Sequence, residues 1–278
     1  MTGLACADTM VLIEAVWGHV LIFWKSEKPT EFEMQLMWFE AWAFGILSGF
    51  YLTEMTIDRL IVVRFPLAAP SICTTRRAKF TVAITFLFAM ALNIYIFFTF
   101  KYVKEEGGEG EVIRMSVDDK ALETFGMLVP LIFGTFLPFA IIVFCNIWII
   151  YTLHAASKKS VAMGVGQDGQ KSREKEARYL TKMLIIVCFA YVVTSIPYRL
   201  HDLLMGVPSI SAHYDLSDPY WRLRYSAQNY ILHHLWEWNY AVNFYLYCIG
   251  GGKRYRQDVR IILERIMFYL RTAKKGRN

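Results

Sequence analysis

The sequence predicts an all-α, multi-pass transmembrane helix bundle, and the distribution of its charges is the main reason. Only 19% of the 278 residues are charged, whereas 55% are hydrophobic and 16% aromatic. Soluble domains carry about 25% charged residues. The charges cluster between apolar windows of the length that one membrane-spanning helix needs, about 20 residues. These windows lack the two-residue alternation of barrel strands. Three of them contain no charge: 80–100, 125–153 and 183–198.

Loop charges predict an orientation. Three loops hold 21 basic and six acidic residues in total: 58–79, 154–182 and 252–278. The loops that alternate with them hold nine basic and 14 acidic residues: 25–40, 101–123 and 199–224. Because basic loops tend to stay in the cytoplasm, the first set is predicted to be cytoplasmic and the C-terminus with it. The net charge of +6 therefore reflects topology and contact with membrane lipid, and no nucleic-acid partner is predicted.

Each helix is predicted from an apolar run bounded by polar or turn-forming residues. The first run is already apolar at Leu4, so we expect a chain that lacks a preceding membrane helix. The predicted transmembrane domain spans 1–250, and a cytoplasmic amphipathic helix and tail span 251–278. The Gly/Ser/Lys-rich segment 155–178 is predicted to be a mobile cytoplasmic loop, and 104–123 an acidic outer loop. The six predicted helices lie near 1–24, 34–63, 78–101, 124–153, 175–205 and 225–249.

The stretch YLTEMTIDRLIVVRFPL ends a predicted helix with the charged pair Asp58-Arg59, followed by Pro66-Leu67. An isolated pair of this kind is usually a solvated helix end, where the arginine extends towards the interface. Here it resembles the end of the third helix of rhodopsin-like G-protein-coupled receptors, with Leu60 in place of an aromatic residue. By this resemblance, Asp58 holds Arg59 at rest and releases it towards a G protein on activation.

Further motifs resemble the same family and imply six visible helices of a seven-helix receptor. Asp8 resembles a mid-membrane aspartate of the second helix, and an intramembrane carboxylate is a functional candidate by default. The segment Asn239–Tyr247 resembles the seventh-helix Asn-Pro-x-x-Tyr motif in the form Asn243-Phe-x-x-Tyr247, which recurs in invertebrate neuropeptide receptors. The family's sodium ion would here be held by oxygen-bearing residues, although an ion-free hydrogen-bonded cluster is an equal alternative. The residues are Asp8, Ser48, Asn239 and Asn243.

Two prolines, Pro138 and Pro197, lie inside apolar windows at positions where the family has prolines in its fifth and sixth helices. An interior proline removes a helical hydrogen bond and bends the axis. Such a bend lets a small shift at the outer end become a larger swing inside. A static kink is the alternative. The coupling residues predicted in this way are Asp58, Arg59, Asn243, Tyr247, Pro138 and Pro197.

The outer ends of the helices are predicted to form a ligand pocket. Glu14 and Glu237 each lie six residues outward from a mid-membrane motif residue, so both can reach one cavity. They call for a cation, either from a ligand or from Arg199 or Arg222. Opsins carry a Schiff-base lysine where Glu237 stands, which favours a peptide ligand. The predicted pocket residues are Glu14, His19, Trp38, Trp42, Tyr198, Trp236 and Glu237.

The resemblance implies a plasma-membrane receptor, of the neuropeptide type, that transmits binding of a cationic peptide to a heterotrimeric G protein. The alternatives are a truncated, non-signalling decoy receptor and a membrane transporter, although no internal repeat supports the transporter. An enzyme is not expected, since neither a nucleophile motif nor a metal-spaced His/Cys set is found; His233 and His234 are adjacent and are predicted to face different sides of a helix. No cofactor is predicted beyond the allosteric sodium ion.

Overall fold

The chain was examined as a computed structural model, which describes residues 2–24, 30–104, 111–115, 120–162, 186–187, 189–205, 218–250, 261 and 264. Long helices dominate these residues, in agreement with the predicted helical bundle. In chain order the helices are α1 (Thr2–Trp24), α2 (Glu31–Arg64), α3 (Ala69–Ile72), α4 (Thr75–Asn93), α5 (Ile96–Thr99), α6 (Lys120–Leu131), α7 (Leu137–Ala162), α8 (189–205) and α9 (Pro219–Gly250).

Side-chain caps determine where two of the long helices begin. At α2 the Thr30 hydroxyl accepts from the Glu33 N–H (3.2 Å), and the Glu33 carboxylate accepts from the Thr30 N–H (2.7 Å). This reciprocal capping box starts the helix at Glu31, where apolar content alone predicted a start near residue 34. At α4 the Thr74 hydroxyl accepts from the Arg77 N–H (3.3 Å). Both helices therefore begin one turn earlier than the hydrophobic pattern indicates.

The outer segment between α5 and α6 contains a β-hairpin that the sequence analysis did not predict. Strand β1 (Phe100–Lys104) pairs antiparallel with β2 (Glu111–Met115), and Tyr102 lies opposite Ile113. The pattern was read as an acidic loop because charged residues interrupt the short alternating strands. The segment nevertheless supplies a glycine-containing connection between two β-branched runs, as hairpins require.

Helix α7 extends to Ala162, so the predicted cytoplasmic loop 155–178 is wrong over its first eight residues. This stretch, AASKKSVA, contains no glycine or proline to end a helix, and the first glycine follows at Gly164. The rest of that predicted loop lies outside the described residues. So does the predicted amphipathic helix within 251–278, apart from residues 261 and 264, which are helical.

Two hydrophobic clusters hold the bundle together around α2, which packs against α1, α4 and α7. The larger cluster includes buried Leu4, Ile46 and Ile96 from α1, α2 and α5. The smaller joins α1, α8 and α9 through Val11, Tyr198, Trp236 and Tyr240. Packing of α1 onto α9 brings the two ends of the sequence together and places the predicted motifs around one axis.

Two helical stretches of the described chain are long and apolar enough to cross a membrane, Thr75–Thr99 and Thr124–Ala156. Their most apolar windows are only 22% and 33% buried inside the bundle, so most of their apolar surface faces outward. The other predicted spans do not meet this criterion in the described chain. Composition explains part of this: α2, for example, carries five acidic residues between Glu31 and Asp58.

Candidate functional site

A buried polar cluster lies at the centre of the bundle, where α1, α2 and α9 meet. The Ser48 hydroxyl donates a hydrogen bond to one oxygen of the Asp8 carboxylate, and the Asn243 side-chain amide donates to the other at 3.4 Å. Asp8 is 5% exposed, Ser48 2% and Asn243 1%. Burial of a carboxylate is costly unless donors surround it. The structure thus brings together three of the four residues predicted for the sodium site.

The fourth residue, Asn239, connects the cluster to α8. Asn239 is buried one helical turn before Asn243. The oxygen of its side-chain amide accepts a hydrogen bond from the Thr194 hydroxyl at 3.4 Å. Thr194 also donates to the backbone of its own helix at Ala190. Thr194 is not among the candidate residues of the sequence analysis, which missed this contact with α9. The polar cluster therefore links α1, α2, α8 and α9 across the core.

An aromatic cluster lies on the outer side of the polar cluster and contains two of the predicted pocket residues. The rings of Tyr198 and Trp236 stack with centroids 5.7 Å apart, and Tyr240 meets Trp236 edge-on at 5.2 Å. The guanidinium of Arg199 lies 5.3 Å from the Tyr198 ring centroid and 5.1 Å from that of Trp236. Arg199 also forms an ion pair with Asp202 at 3.6 Å. These contacts hold the outer end of α8 against α9.

Glu237 has different partners from those that the sequence suggested. Its carboxylate contacts Nδ1 of His233 at 3.3 Å and Nδ1 of His234 at 2.5 Å. The sequence analysis found no metal-spaced set here because the two adjacent histidines were predicted to face different sides of the helix. Both nevertheless contact the same carboxylate. Successive helical residues are rotated by about 100°, so Glu237 falls at an angle between them. Arg199, offered as one alternative counter-charge, pairs with Asp202 instead.

The remaining predicted pocket residues occupy several environments. Glu14 of α1 is half-buried and close enough to Glu237 and Glu40 for their charges to interact. Trp38 and Trp42 of α2 meet edge-on at 5.9 Å, and they pack against the larger hydrophobic cluster rather than the one around Trp236. The side chain of His19 lies outside the described residues. The structure therefore brings four of the predicted pocket residues into one region: Glu14, Tyr198, Trp236 and Glu237. The two α2 tryptophans pack against the larger hydrophobic cluster instead.

At the predicted cytoplasmic end of α2, Asp58 borders a cavity of about 560 Å³. Asp58 is exposed and Arg59 half-buried, and no ion pair joins them in the described part of the chain. Asp58 instead accepts a weak hydrogen bond from the Cys73 thiol at 3.8 Å. Desolvation and the neighbouring Asp58 carboxylate raise the pKa of this thiol, so it stays protonated and able to donate. The resting Asp58–Arg59 pairing that the resemblance implied is thus not present in this structure.

Glu54 is an acidic residue inside the apolar stretch that ends with Asp58-Arg59. It lies one helical turn before Asp58, further into the bundle. Its carboxylate accepts a hydrogen bond from the Thr85 hydroxyl of α4. Nearby, the Tyr51 hydroxyl donates to the backbone carbonyl of Val82 at 3.0 Å. Glu54 and Tyr51 both line this cavity. The half-buried Glu54 carboxylate therefore joins α2 to α4 beside this cavity.

The helical stretch is distorted directly before Pro138, between α6 and α7. Residues Ile132–Phe136 form a π-helical turn, in which the Leu137 N–H bonds to the carbonyl of Ile132 five residues earlier. Such turns often lie at functional sites. The sequence predicted a bend from Pro138 but gave no signal for the π turn. Pro197, the second predicted bend, lies half-buried within α8.

The π turn makes a contact with α8 that sequence reasoning missed. The buried hydroxyl of Tyr191 donates to the backbone carbonyl of Gly134 at 2.7 Å, and the carbonyl of Thr135 is 3.4 Å away. Irregular helix leaves carbonyl groups without their usual partner, and these groups need another donor. Tyr191 is therefore a cross-link between the distorted part of α7 and the helix that carries Pro197. The side chain of Tyr247, the other predicted switch tyrosine, lies outside the described residues.

The described bundle contains buried polar clusters, and two of its helical stretches are long and apolar enough to cross a membrane. The sequence model of the seven-transmembrane receptor (rhodopsin family) matches residues 1–243. The chain belongs to this family, and it is therefore a multi-pass membrane protein. Because the family consists of receptors, its assignment confirms that the chain is not an enzyme.

Similar proteins include melanopsins and a rhodopsin. Human melanopsin is 28% identical over 165 residues, which are 56% of this chain and 34% of the relative. The Gq-coupled rhodopsin of Mizuhopecten yessoensis is 25% identical over 175 residues, or 61% and 35%. Melanopsin of Felis catus is 26% identical over 171 residues, or 58% and 34%. These matches span about a third of the length of each relative.

Proposed function

We propose that the chain is a plasma-membrane receptor that transmits binding of an outer ligand to a heterotrimeric G protein on the cytoplasmic side. The observation that carries the proposal is the position of Arg59, half-buried at the end of α2 and next to Asp58, which lines the 560 Å³ cavity. In a receptor of this family, such an arginine meets the G protein. The C-terminus then lies in the cytoplasm, as the basic loops indicate.

Transmission in this proposal uses the polar contacts between α7, α8 and α9. A ligand that shifts the outer aromatic cluster displaces α8 at Tyr198 and Arg199. That shift acts on the Tyr191 hydrogen bond to the π turn and on the Thr194–Asn239 bond. Ligand binding selects the arrangement that opens the cytoplasmic side, in proportion to its preference for that arrangement. Asp58, Arg59, Pro138, Pro197, Asn243 and Tyr247 are the proposed coupling residues.

Nucleotide exchange tests this coupling. The full chain is reconstituted in lipid vesicles with purified heterotrimeric Gq, the subtype suggested by the name of one relative. We expect the chain to accelerate exchange above the vesicle background, and the Arg59→Ala variant to lose that acceleration. Arg64→Ala is a matched control because Arg64 is an exposed arginine at the end of the same helix, where it lies against Phe65. Equal exchange by the Arg59→Ala and wild-type chains would contradict the assigned role.

The ligand is proposed to be a cationic peptide of the neuropeptide type. Glu14, Glu40 and Glu237 supply three interacting carboxylates in the outer half of the bundle. Aromatic faces, such as those of Tyr198 and Trp236, bind guanidinium groups, as Arg199 already demonstrates here. Acidic residues in the outer hairpin segment increase the local concentration of a positively charged peptide.

A panel of peptides that differ only in their number of arginines tests this ligand class. We expect exchange on Gq to rise only with the arginine-bearing members, and Glu14→Gln to reduce their potency about tenfold or more, as loss of a partly buried charge pair does. Glu264→Gln serves as the control, because it removes an exposed carboxylate from the cytoplasmic C-terminal region. Equal responses to neutral and cationic peptides would contradict the proposal.

A light receptor is the second candidate, because the relatives named above are opsins. It requires a lysine that forms a Schiff base with an aldehyde chromophore. By the motif register, Glu237 occupies that lysine's position, and it is already hydrogen-bonded to two histidines. Borohydride reduction of the purified chain distinguishes the two candidates: a chromophore trapped on a lysine would favour the light receptor over the peptide receptor.

We also propose that the polar cluster binds a sodium ion through Asp8, Ser48, Asn239 and Asn243. Its support is the buried Asp8 carboxylate, which accepts hydrogen bonds from the Ser48 hydroxyl and from the side-chain amide nitrogen of Asn243. Sodium should raise the thermal stability of the wild-type chain more than potassium does. The Asp8→Asn variant should not distinguish the two ions. No difference between the ions for the wild-type chain would support a hydrogen-bonded cluster without an ion.

A further inference from the structure

Three side chains of types that ligate metal ions converge midway along α9, apart from the polar cluster around Asp8. They are His233, His234 and Glu237, and one ligand atom from each lies within 4.8 Å of the other two. The two imidazole Nδ1 atoms contact different oxygens of the same carboxylate, at 3.3 Å and 2.5 Å. The side chains are 27%, 26% and 11% exposed, so a solvent-borne ion can reach them.

These distances suit a small tetrahedral metal ion. Zinc binds imidazole nitrogen and carboxylate oxygen at about 2.0–2.1 Å, which puts neighbouring tetrahedral ligand atoms about 3.3 Å apart. The His233–Glu237 contact already has this length, and the His234–Glu237 contact needs to lengthen by about 0.8 Å to reach it. This change, and a closer approach of the two Nδ1 atoms, which lie within 4.8 Å of each other, are within the reach of side-chain rotation on one helix. The backbone therefore does not need to move.

The neighbourhood favours a cation and orients the histidines. The half-buried carboxylate of Glu14 lies within electrostatic range of the carboxylates of Glu237 and Glu40. The Tyr198 ring meets His233 edge-on at 5.3 Å, and the Tyr230 ring meets His234 edge-on at 4.1 Å. Packing of this kind limits the rotation of each imidazole and keeps its Nδ1 towards Glu237.

We infer that His233, His234 and Glu237 form a binding site for a divalent transition-metal ion of the zinc class. Two imidazoles and one carboxylate supply three ligands, and a water molecule or a donor group of an outer ligand completes the tetrahedron. Borderline ions of this class prefer imidazole, whereas magnesium and calcium prefer oxygen ligands. The site lies beside the proposed ligand pocket, but its existence does not depend on G-protein coupling.

Direct metal binding tests this inference without a signalling readout. The purified full chain in lipid nanodiscs is titrated with zinc chloride, and the bound zinc is counted by calorimetry. We expect one ion per chain at this site, and an affinity at least about tenfold weaker in each of His233→Ala, His234→Ala and Glu237→Gln. His154→Ala is the control, since His154 is exposed near the other end of the bundle, on α7. Zinc binding that is absent, or that survives all three substitutions, would overturn the inference.

A measurement on the wild-type chain covers the case in which a substitution prevents folding. X-ray absorption at the zinc edge reports how many imidazole groups surround the ion. Two imidazoles among four nitrogen and oxygen ligands are expected. A spectrum without imidazole would refute the site whatever the variants do. Loss of G-protein coupling with zinc binding intact would refute only the proposed function.

Discussion

Replacement of Tyr191 by phenylalanine removes one hydroxyl from the contact between α7 and α8. That hydroxyl donates to the carbonyl of Gly134 in the π turn at 2.7 Å, and Tyr191 is only 4% exposed. The phenyl ring keeps the packing, so the change isolates the hydrogen bond. Without the hydroxyl, the Gly134 carbonyl in the π turn loses the hydrogen-bond donor that α8 provides.

The expected cost follows from the burial of this carbonyl. An unsatisfied buried acceptor costs about 1–3 kcal/mol in soluble proteins. Hydrogen bonds between membrane helices average about 0.6 kcal/mol, with a maximum of about 1.7. The short distance and deep burial place Tyr191 in the upper part of that range, at about 1–1.7 kcal/mol. If the contact forms only in the resting arrangement, its loss raises the population of the active arrangement about five- to fifteenfold.

Two measurements on the purified chain separate stability from switching. Thermal unfolding in detergent reports the lost hydrogen bond, and basal nucleotide exchange on Gq reports the shift in population. Tyr95→Phe is the matched control: its buried hydroxyl donates to the carbonyl of Gly126 at 3.2 Å, outside the α7–α8 contact. Both variants should lose stability, but only Tyr191→Phe should change exchange. Unchanged stability and exchange in Tyr191→Phe would refute the reasoning.

Further predictions concern close packing and the cytoplasmic cavity. Gly45→Ala should destabilise the chain by about 1–3 kcal/mol in denaturant unfolding, because the new methyl group would lie 2.9 Å from the buried Tyr240 hydroxyl. Gly18→Ala should be nearly neutral, since its methyl group meets the flexible end of a methionine; equal losses would contradict the packing argument. The Cys73 thiol, whose pKa is raised, should react with iodoacetamide at neutral pH more slowly than an ordinary thiol, and Asp58→Asn should lower that pKa and accelerate the reaction. Peptide mass spectrometry resolves the site, and a rate unaffected by Asp58→Asn would count against the contact.

The sequence predicted the helical bundle from a strong local signal, and it predicted the polar centre from the family resemblance. Long charge-free windows are visible without any tertiary information. The motif residues Asp8, Ser48 and Asn243 are separated by up to 235 residues, yet the family resemblance placed them together, and they are hydrogen-bonded in the structure. Asn239 was expected in the same group, and it bonds instead to Thr194 at the edge of the cluster.

The contacts that sequence reasoning missed depend on geometry that no single position reveals. The π turn before Pro138 arises from one extra residue in a helical turn, and its partner Tyr191 lies 57 residues from Gly134. The histidine pair was dismissed because adjacent helical residues point apart, although a residue three to four positions later lies between them. No ion pair joins Asp58 and Arg59 among the residues that the structure describes; the exposed Asp58 carboxylate accepts a hydrogen bond from the Cys73 thiol instead.

The most direct test concerns the two faces of the bundle, because a receptor needs Arg59 and Glu237 to face opposite aqueous compartments. Protease-cleavable tags are inserted between Gly107 and Gly108, in the acidic hairpin segment, and after Asn278 in the full chain expressed in intact cells. External protease should remove the hairpin tag and leave the C-terminal tag, which becomes accessible only after the membrane is permeabilised. Cleavage of both tags in intact cells, or of neither, would contradict the proposed topology and with it the transmission of binding from one side to the other.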